Sequence, residues 1–293
     1  MNQLDTFTSI NLDDLVSSFG WQVRSTLAGL VRRVFLSPAR TFAGHMVGFD
    51  KEVGVLGLAE ASRRLQRSYV KDVRVFGLER LPPGPILALS NHPGMTDTLS
   101  LFIALNRPDL KIIALQRPFL EALSNISPRL FYVLDDPAAR MSLVRKVSNH
   151  LRGGGAVLTF PAGHIEPDPA VYPGALESLQ TWTDSVGVFV RMAPETAVVP
   201  VLVRGVVWDV AAHHPLLALK RTRDEKEKLA SALQLLAMVM FGMKPVTVTV
   251  QIGDPVLAAH LGTTDSRAVH QAVLAGMRSL IENPPEGRGE STL

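Results

Sequence analysis

The sequence predicts an α/β fold: a mostly parallel central sheet flanked by helices, preceded by an N-terminal amphipathic helical hairpin. Two observations carry this. Short apolar runs alternate with segments of about ten residues or more at helical periodicity, the pattern of a parallel sheet with helical crossovers. Loops rich in polar and titratable residues, around His92 and His164, follow directly on two of those runs, and α/β sheets place their sites at the carboxyl ends of strands. The core is large: 46% of the 293 residues are hydrophobic, but only 6% are aromatic, so Leu, Val and Ala must fill it.

Taken in order, Met1 to Asn11 is polar and expected to be loose. From Leu15 to Phe49 there is no acidic residue, while Arg24, Arg32, Arg33 and Arg40 fall there. Leu15, Phe19, Val23, Leu27, Leu30 and Val34 recur at steps of four or three, an amphipathic helix that Ser37-Pro38 should end. A second basic helix is expected from roughly Glu52 to Tyr69, with Arg63, Arg64 and Arg67. Residues 1–72 therefore read as a pair of basic amphipathic helices suited to an anionic lipid surface. A helical pair packed on the core beneath a solvated basic face fits the pattern equally. Residues 73–283 read as the α/β domain and 284–293 as a flexible tail.

Strands are expected at Val73–Phe76, Ile86–Leu89, Lys111–Leu115, Leu130–Leu134, Ala156–Phe160, Val198–Val203 and Val246–Ile252. Pro200 inside one of them points to an edge or a bulge. Helices are expected after Asp97, from Pro118, over Ala138–Leu151, Gly174–Arg191 and Glu225–Met243, and over Thr264–Asn283. Gly153-Gly154-Gly155 precedes a strand and lacks a following Lys-Ser/Thr, so it reads as a helix stop rather than a phosphate loop.

The chain is organised around Pro85 to Leu105. The apolar run stops at Ser90-Asn91-His92, Pro93-Gly94 turns the chain, and Thr96-Asp97 opens a helix. Residues five apart do not share a helix face. The Pro-Gly turn lets the chain fold back, so that Asp97 can meet the His92 ring. A carboxylate on one imidazole nitrogen fixes the tautomer and raises the basicity of the other, which can then take a proton from a hydroxyl. A lone His near a strand end more often makes a structural hydrogen bond; its setting here favours chemistry. Phe160-Pro161-Ala162-Gly163 forms a second rigid turn whose backbone N–H groups could face a phosphate or an oxyanion.

Asn91-His92, Asp97 after four intervening residues, Phe160-Pro161-x-Gly163 and Val199-Pro200-Val201, in that order, resemble the glycerolipid acyltransferase family, of which the lysophosphatidate acyltransferases are the best-known members. The resemblance covers about Leu81 to Pro255. It implies that His92 is the general base and Asp97 its orienting acid. It implies transfer of an acyl group from a coenzyme A or acyl carrier protein thioester to a lipid hydroxyl, most simply that of a lysophosphatidate-type glycerolipid, with no covalent enzyme intermediate. The basic N-terminal pair is similar to the membrane-docking hairpin of bacterial members. Asn91, Arg117, Phe160, Pro161, Ala162, Gly163 and Glu166 are the candidate substrate-binding residues.

The chain departs from the family pattern where Ala162 replaces a Glu, His164-Ile165 replaces Thr-Arg, and Asp135-Asp136 stands where an Arg is usual. Arg117, Arg140 or Arg145 are candidate replacements for the missing cation, and Glu166 is either a displaced carboxylate or a surface charge. These changes keep open a non-phosphate lipid alcohol as acceptor, and a non-catalytic lipid-binding relative.

Other classes are disfavoured. A net charge of +3 is too mild to argue for nucleic acid, and zero Cys excludes disulfides and Cys-ligated zinc. His92, Asp97, His164 and Glu166 match no metal-ligand spacing, so no metal and no bound cofactor are expected; the acyl thioester is a substrate. His213 and His214 read as exposed loop residues. No secretory signal is recognisable, and the apolar stretch Leu229–Met243 is shorter than the ~20 residues of a spanning helix. The expected location is peripheral, on the cytoplasmic face of a membrane.

Overall fold

The computed structural model describes residues 3–18, 26–134 and 136–293. Three helices come first: α1 (Gln3–Ser18), α2 (Thr26–Leu56) and α3 (Leu58–Gln66). Then follow β1 (Asp72–Phe76), β2 (Ile86–Ser90), α4 (Met95–Leu105), β3 (Lys111–Leu115), α5 (Pro118–Glu121) and β4 (Leu130–Val133). Next are α6 (Pro137–Arg152), β5 (Ala156–Thr159), α7 (Ala175–Ser178), α8 (Ser185–Met192) and β6 (Ala197–Arg204). The chain closes with α9 (Asp209–Ala212), α10 (Arg223–Phe241), β7 (Thr247–Ile252), α11 (Ala258–Leu261), α12 (Ser266–Glu282) and β8 (Glu290–Ser291).

The strands form one eight-stranded sheet in the order β4-β3-β5-β2-β6-β7-β1-β8. From β4 to β6 every pairing is parallel. β7 runs antiparallel to β6 and parallel to β1, and β8 is antiparallel to β1. The fold is thus the expected α/β class with a mostly parallel sheet.

Both faces of the sheet are covered, which explains its unbroken apolar runs. Ile86 and Ala88 of β2 face one core with Leu158, Val199 and Val201, beneath α2, α3 and α4. Leu87 and Leu89 face the other with Val157, Val198 and Leu202, against Val190 of α8 and Val273 and Met277 of α12. All five residues of β2 are buried. Register aligns Leu89 with Thr159 and Ser90 with Val201, so the loops after β2, β5 and β6 leave from the same edge of the sheet.

Several expectations are corrected. The N-terminal residues from Gln3 on are helical, because Leu4 and Phe7 pack inward and Phe7 meets Phe119 edge-on at 5.1 Å. Much of the Leu15–Val34 periodicity, with Arg24, concerns residues that lie outside the described backbone or side chains. Pro38 does not end α2, which runs on to Leu56. The lost hydrogen bond and ring clash of an interior Pro cost about 3 kcal/mol. Buried Ala39, Ala43, Met46, Phe49 and Val53 continue the apolar face beyond it and offset that cost. The helix expected over Gly174–Arg191 is broken, because Trp182 is extended (ψ 128°).

Pro200 is not on an edge: β6 lies between β2 and β7. The bulge half of the expectation is met. Val201 pairs with Ile252 but Val198 with Val256, a slip of one residue that bends the partner chain at Gly253-Asp254-Pro255 opposite Pro200. The expected free tail contains β8, held by Ser291 Oγ donating to Asp72 at 2.8 Å and Thr292 N–H donating to Val73 O at 3.1 Å.

Gly205, just past β6, has φ +72°, and a Cβ there would lie 2.7 Å from the Thr247 carbonyl oxygen. Gly205→Ala is expected to lower unfolding free energy by about 2 kcal/mol in urea titration, through left-handed strain and backbone crowding. An unchanged midpoint would contradict this packing.

Candidate active site

β2 delivers His92 to the carboxyl edge of the sheet, and the Pro93-Gly94 turn brings α4 back beneath it. His92 Nδ1 lies 2.8 Å from Asp97 Oδ2. Asp97 is fully buried, whereas the His92 side chain is 29% exposed. The same carboxylate accepts from Gly94 N–H at 2.9 Å, from the Thr98 hydroxyl at 2.9 Å and from Thr98 N–H. An ionised carboxylate only accepts, so Nδ1 carries the hydrogen and Nε2 keeps its lone pair. Phe160, the first residue after β5, lies against the imidazole with ring centroids 4.6 Å apart.

Glu166 is not a surface charge. It is 1% exposed, and accepts from Trp182 Nε1–H at 2.8 Å, Ser178 Oγ–H at 3.0 Å and His92 N–H at 3.2 Å. Its own N–H donates to His92 O at 2.9 Å. Glu166 therefore holds the backbone of His92. Burial raises its carboxyl pKa, and the hydrogen bonds from Trp182, Ser178 and His92 only partly counter that. For His92, burial lowers the imidazole pKa. The charge and hydrogen bond of Asp97, with the charge of Glu166, more than offset it, so the net shift is upward.

The other candidate substrate-binding residues fall in different places. Asn91 is buried, and its amide pairs with Val203, donating to the carbonyl at 2.9 Å and accepting from the N–H at 2.8 Å. It ties the turn to β6. Pro161 is buried, and Ala162 packs toward the core of α6, α8 and α12, because the turn points its apolar residues inward. Gly163, at φ +70°, spends its N–H on the Phe160 carbonyl at 3.0 Å, so this donor is not free for a ligand. Arg117 is exposed at the start of α5. Of the departures noted in sequence, Asp135 lies outside the described residues, and Asp136 caps α6 through Ala139 N–H at 2.7 Å. His164 is exposed, its Nδ1 2.8 Å from Ala162 O. Among the described residues no three His, Asp or Glu side chains are arranged to hold a metal ion.

A cavity of about 530 Å³ begins at Pro93, Gly94, Met95 and Thr96, immediately after His92. Ile165, Val206 and Val207, from the loops after β5 and β6, form its near side, and Phe119 of α5 flanks it. It extends to Phe42 of α2 and to Leu235 and Met238 of α10. The lining is mainly apolar. The apolar stretch of α10 thus divides: Leu235 and Met238 line the cavity, Leu229 and Ala230 pack on Leu217, and Met240 and Phe241 are exposed.

Sequence reasoning missed Asp168. It is fully buried and accepts from Gly205 N–H (2.9 Å), Val206 N–H (2.7 Å) and Val207 N–H (2.9 Å). Gln234 of α10 continues the brace, donating to Val206 O at 2.8 Å and accepting from Trp208 N–H at 2.7 Å. A carboxylate between two prolines, Pro167 and Pro169, looks like a solvent turn; nothing local marks it as buried.

A family model described as Acyltransferase matches residues 72–204. No curated protein matches the chain in sequence. Among solved structures, the chain is similar to the 1-acyl-sn-glycerophosphate (LPA) acyltransferase PlsC from Thermotoga maritima. The TM-score is 0.46 and the identity 17%, over 95% of this chain and 98% of that one.

Glu166→Ala would leave Trp182 Nε1–H, Ser178 Oγ–H and His92 N–H without their acceptor, at about 1–3 kcal/mol for each buried donor left unpaired. Relief of the buried carboxyl offsets part of this. A net loss of roughly 3 kcal/mol is expected by chemical denaturation. A loss under about 0.5 kcal/mol, the surface-substitution range, would show that these bonds do not hold the loop.

Proposed function

We propose that this chain, whose residues 72–204 match the Acyltransferase family model, moves a fatty acyl group from a thioester to a lipid hydroxyl, with His92 as general base. The observation that carries the reading is the 2.8 Å contact between His92 Nδ1 and a fully buried Asp97, beside an apolar cavity. The acceptor oxygen adds to the thioester carbonyl carbon while Nε2 takes its proton, and the carbonyl π pair moves onto oxygen. The tetrahedral intermediate then collapses, the C–S bond breaks, and the leaving sulfur takes the proton from the imidazolium. Asp97 holds the ring and balances its charge without taking the proton.

The donor is an acyl-CoA or an acyl carrier protein thioester, with its chain in the cavity. The acceptor is a lysophosphatidate-type glycerolipid. A second acceptor, a lipid alcohol without phosphate, is favoured by one observation: the charged groups acting on His92 are both carboxylates, Asp97 and Glu166, and would repel a phosphate. An acceptor panel separates the two. The site works at a membrane surface, peripherally, on its cytoplasmic side. Exposed Val34 and Leu36 beside Arg33 on α2 suit such contact. No helix among the described residues is long and apolar enough to cross a membrane.

His92→Ala is expected to lower kcat/KM by about 10²- to 10⁴-fold with an acyl thioester and a lysolipid. Activity near wild type would remove the base. The base works unprotonated, and its pKa is raised above the usual 6.5. The rising limb of kcat/KM against pH should therefore lie above 6.5. In Asp97→Asn the charge that raises it is gone, so the limb should move to lower pH while the plateau falls. A limb that stays in place would detach Asp97 from the titration.

A further inference from the structure

The cavity wall beside the catalytic turn holds a polar group that nothing in the described structure satisfies. Thr96, on the first turn of α4, is 2% exposed and lines the cavity, yet its hydroxyl has no hydrogen-bond partner. Its surroundings are otherwise well bonded. The Thr96 carbonyl accepts from Gln66 Nε2–H and from the Ser100 hydroxyl, both at 2.7 Å, and Gln66 Nε2 also reaches Ser100 Oγ at 2.9 Å. A buried hydroxyl left unpaired is costly, and each such group in a native structure calls for an explanation.

Position supplies one. Thr96 immediately precedes Asp97, whose carboxylate occupies His92, Gly94 and Thr98. α4 is 11 residues long, the N–H groups of its first turn have no carbonyl acceptor within the helix, that of Thr98 going to the Asp97 carboxylate, and its dipole favours negative charge at this end. A buried donor, a helix N-terminus and an apolar channel meet beside the base.

We propose that the Thr96 hydroxyl donates a hydrogen bond to the carbonyl oxygen of the bound acyl thioester, with the amino end of α4 behind it, and stabilises the negative charge that forms there. The inference rests on the acyl-transfer reading and assigns it an oxyanion donor. As the acceptor oxygen adds to the carbonyl carbon, the π pair localises on the oxygen that faces Thr96, and His92 takes the proton. Thr96 keeps its own proton throughout. When the C–S bond breaks, the carbonyl re-forms and the charge leaves with the sulfur.

The test compares Thr96→Val and Thr96→Ser with Thr196→Val, in full-length protein. Thr196 also has a buried hydroxyl without a partner, but it precedes β6 at the opposite edge of the sheet. Thr96→Val is expected to lower kcat on the order of 100-fold, as loss of an oxyanion donor does, with Tm unchanged or raised. Thr96→Ser should recover most of the rate, and Thr196→Val should turn over like wild type. If Thr96→Val does not fold, Thr96→Ala is read in the same way. Turnover by Thr96→Val within about twofold of wild type overturns the inference, since an oxyanion donor is worth far more. A fall in Tm with kcat intact overturns it too, because the hydroxyl would then be pairing with Gln66 Oε1, which is also without a partner. Failure of the underlying reading looks different: wild type would turn over no thioester, or His92→Ala would match wild type.

Discussion

One buried carboxylate holds the site together. Asp97 has no contact with solvent, and its oxygens accept from an imidazole, the N–H of Gly94 and both donors of Thr98. These bonds fix the turn, the start of α4 and the ring in one geometry. A charge in that position is tolerable only because it is hydrogen-bonded on every side. Its positional role and its effect on basicity are therefore inseparable: the bonds that hold the ring also fix its tautomer and raise its pKa.

The second level of support comes from two further buried carboxylates after β5. Glu166 exchanges backbone bonds with His92 and is itself gripped by Trp182 and Ser178. Asp168 gathers three consecutive N–H groups after β6. Asn91 closes the set by pairing with Val203 on β6. The loops leaving β2, β5 and β6 are thus cross-linked by side chain to backbone bonds. That is the rigidity the proposed base at His92 would need, since small displacements of reacting groups cost rate steeply. The mainly apolar cavity abuts this network and shares Val206, Val207 and Gln234 with it.

What the sequence made legible was local. His92 and Asp97 could be paired because Pro93-Gly94 encodes the turn between them within six residues. Strand positions were legible because both faces of the sheet are buried, which leaves continuous apolar runs. What escaped was long-range. Trp182 and Ser178 lie 16 and 12 residues beyond Glu166, and no periodicity links them. Asp168 reaches residues 37 to 39 positions away. Pro38 misled because its local cost is real, and only the tertiary face from Ala39 to Val53 outweighs it. Ala162 and Pro161 misled in the opposite sense: the turn is where it was expected, but it directs them into the core.

The central claim is that Asp97 holds the His92 ring with hydrogen on Nδ1 and a bare, strengthened Nε2. An NMR titration of the His92 ring nitrogens in the intact protein tests it without reference to turnover. The expected result is a neutral form protonated at Nδ1 and a midpoint above 6.5. A neutral form protonated at Nε2, or a midpoint at or below 6.5, would contradict the account.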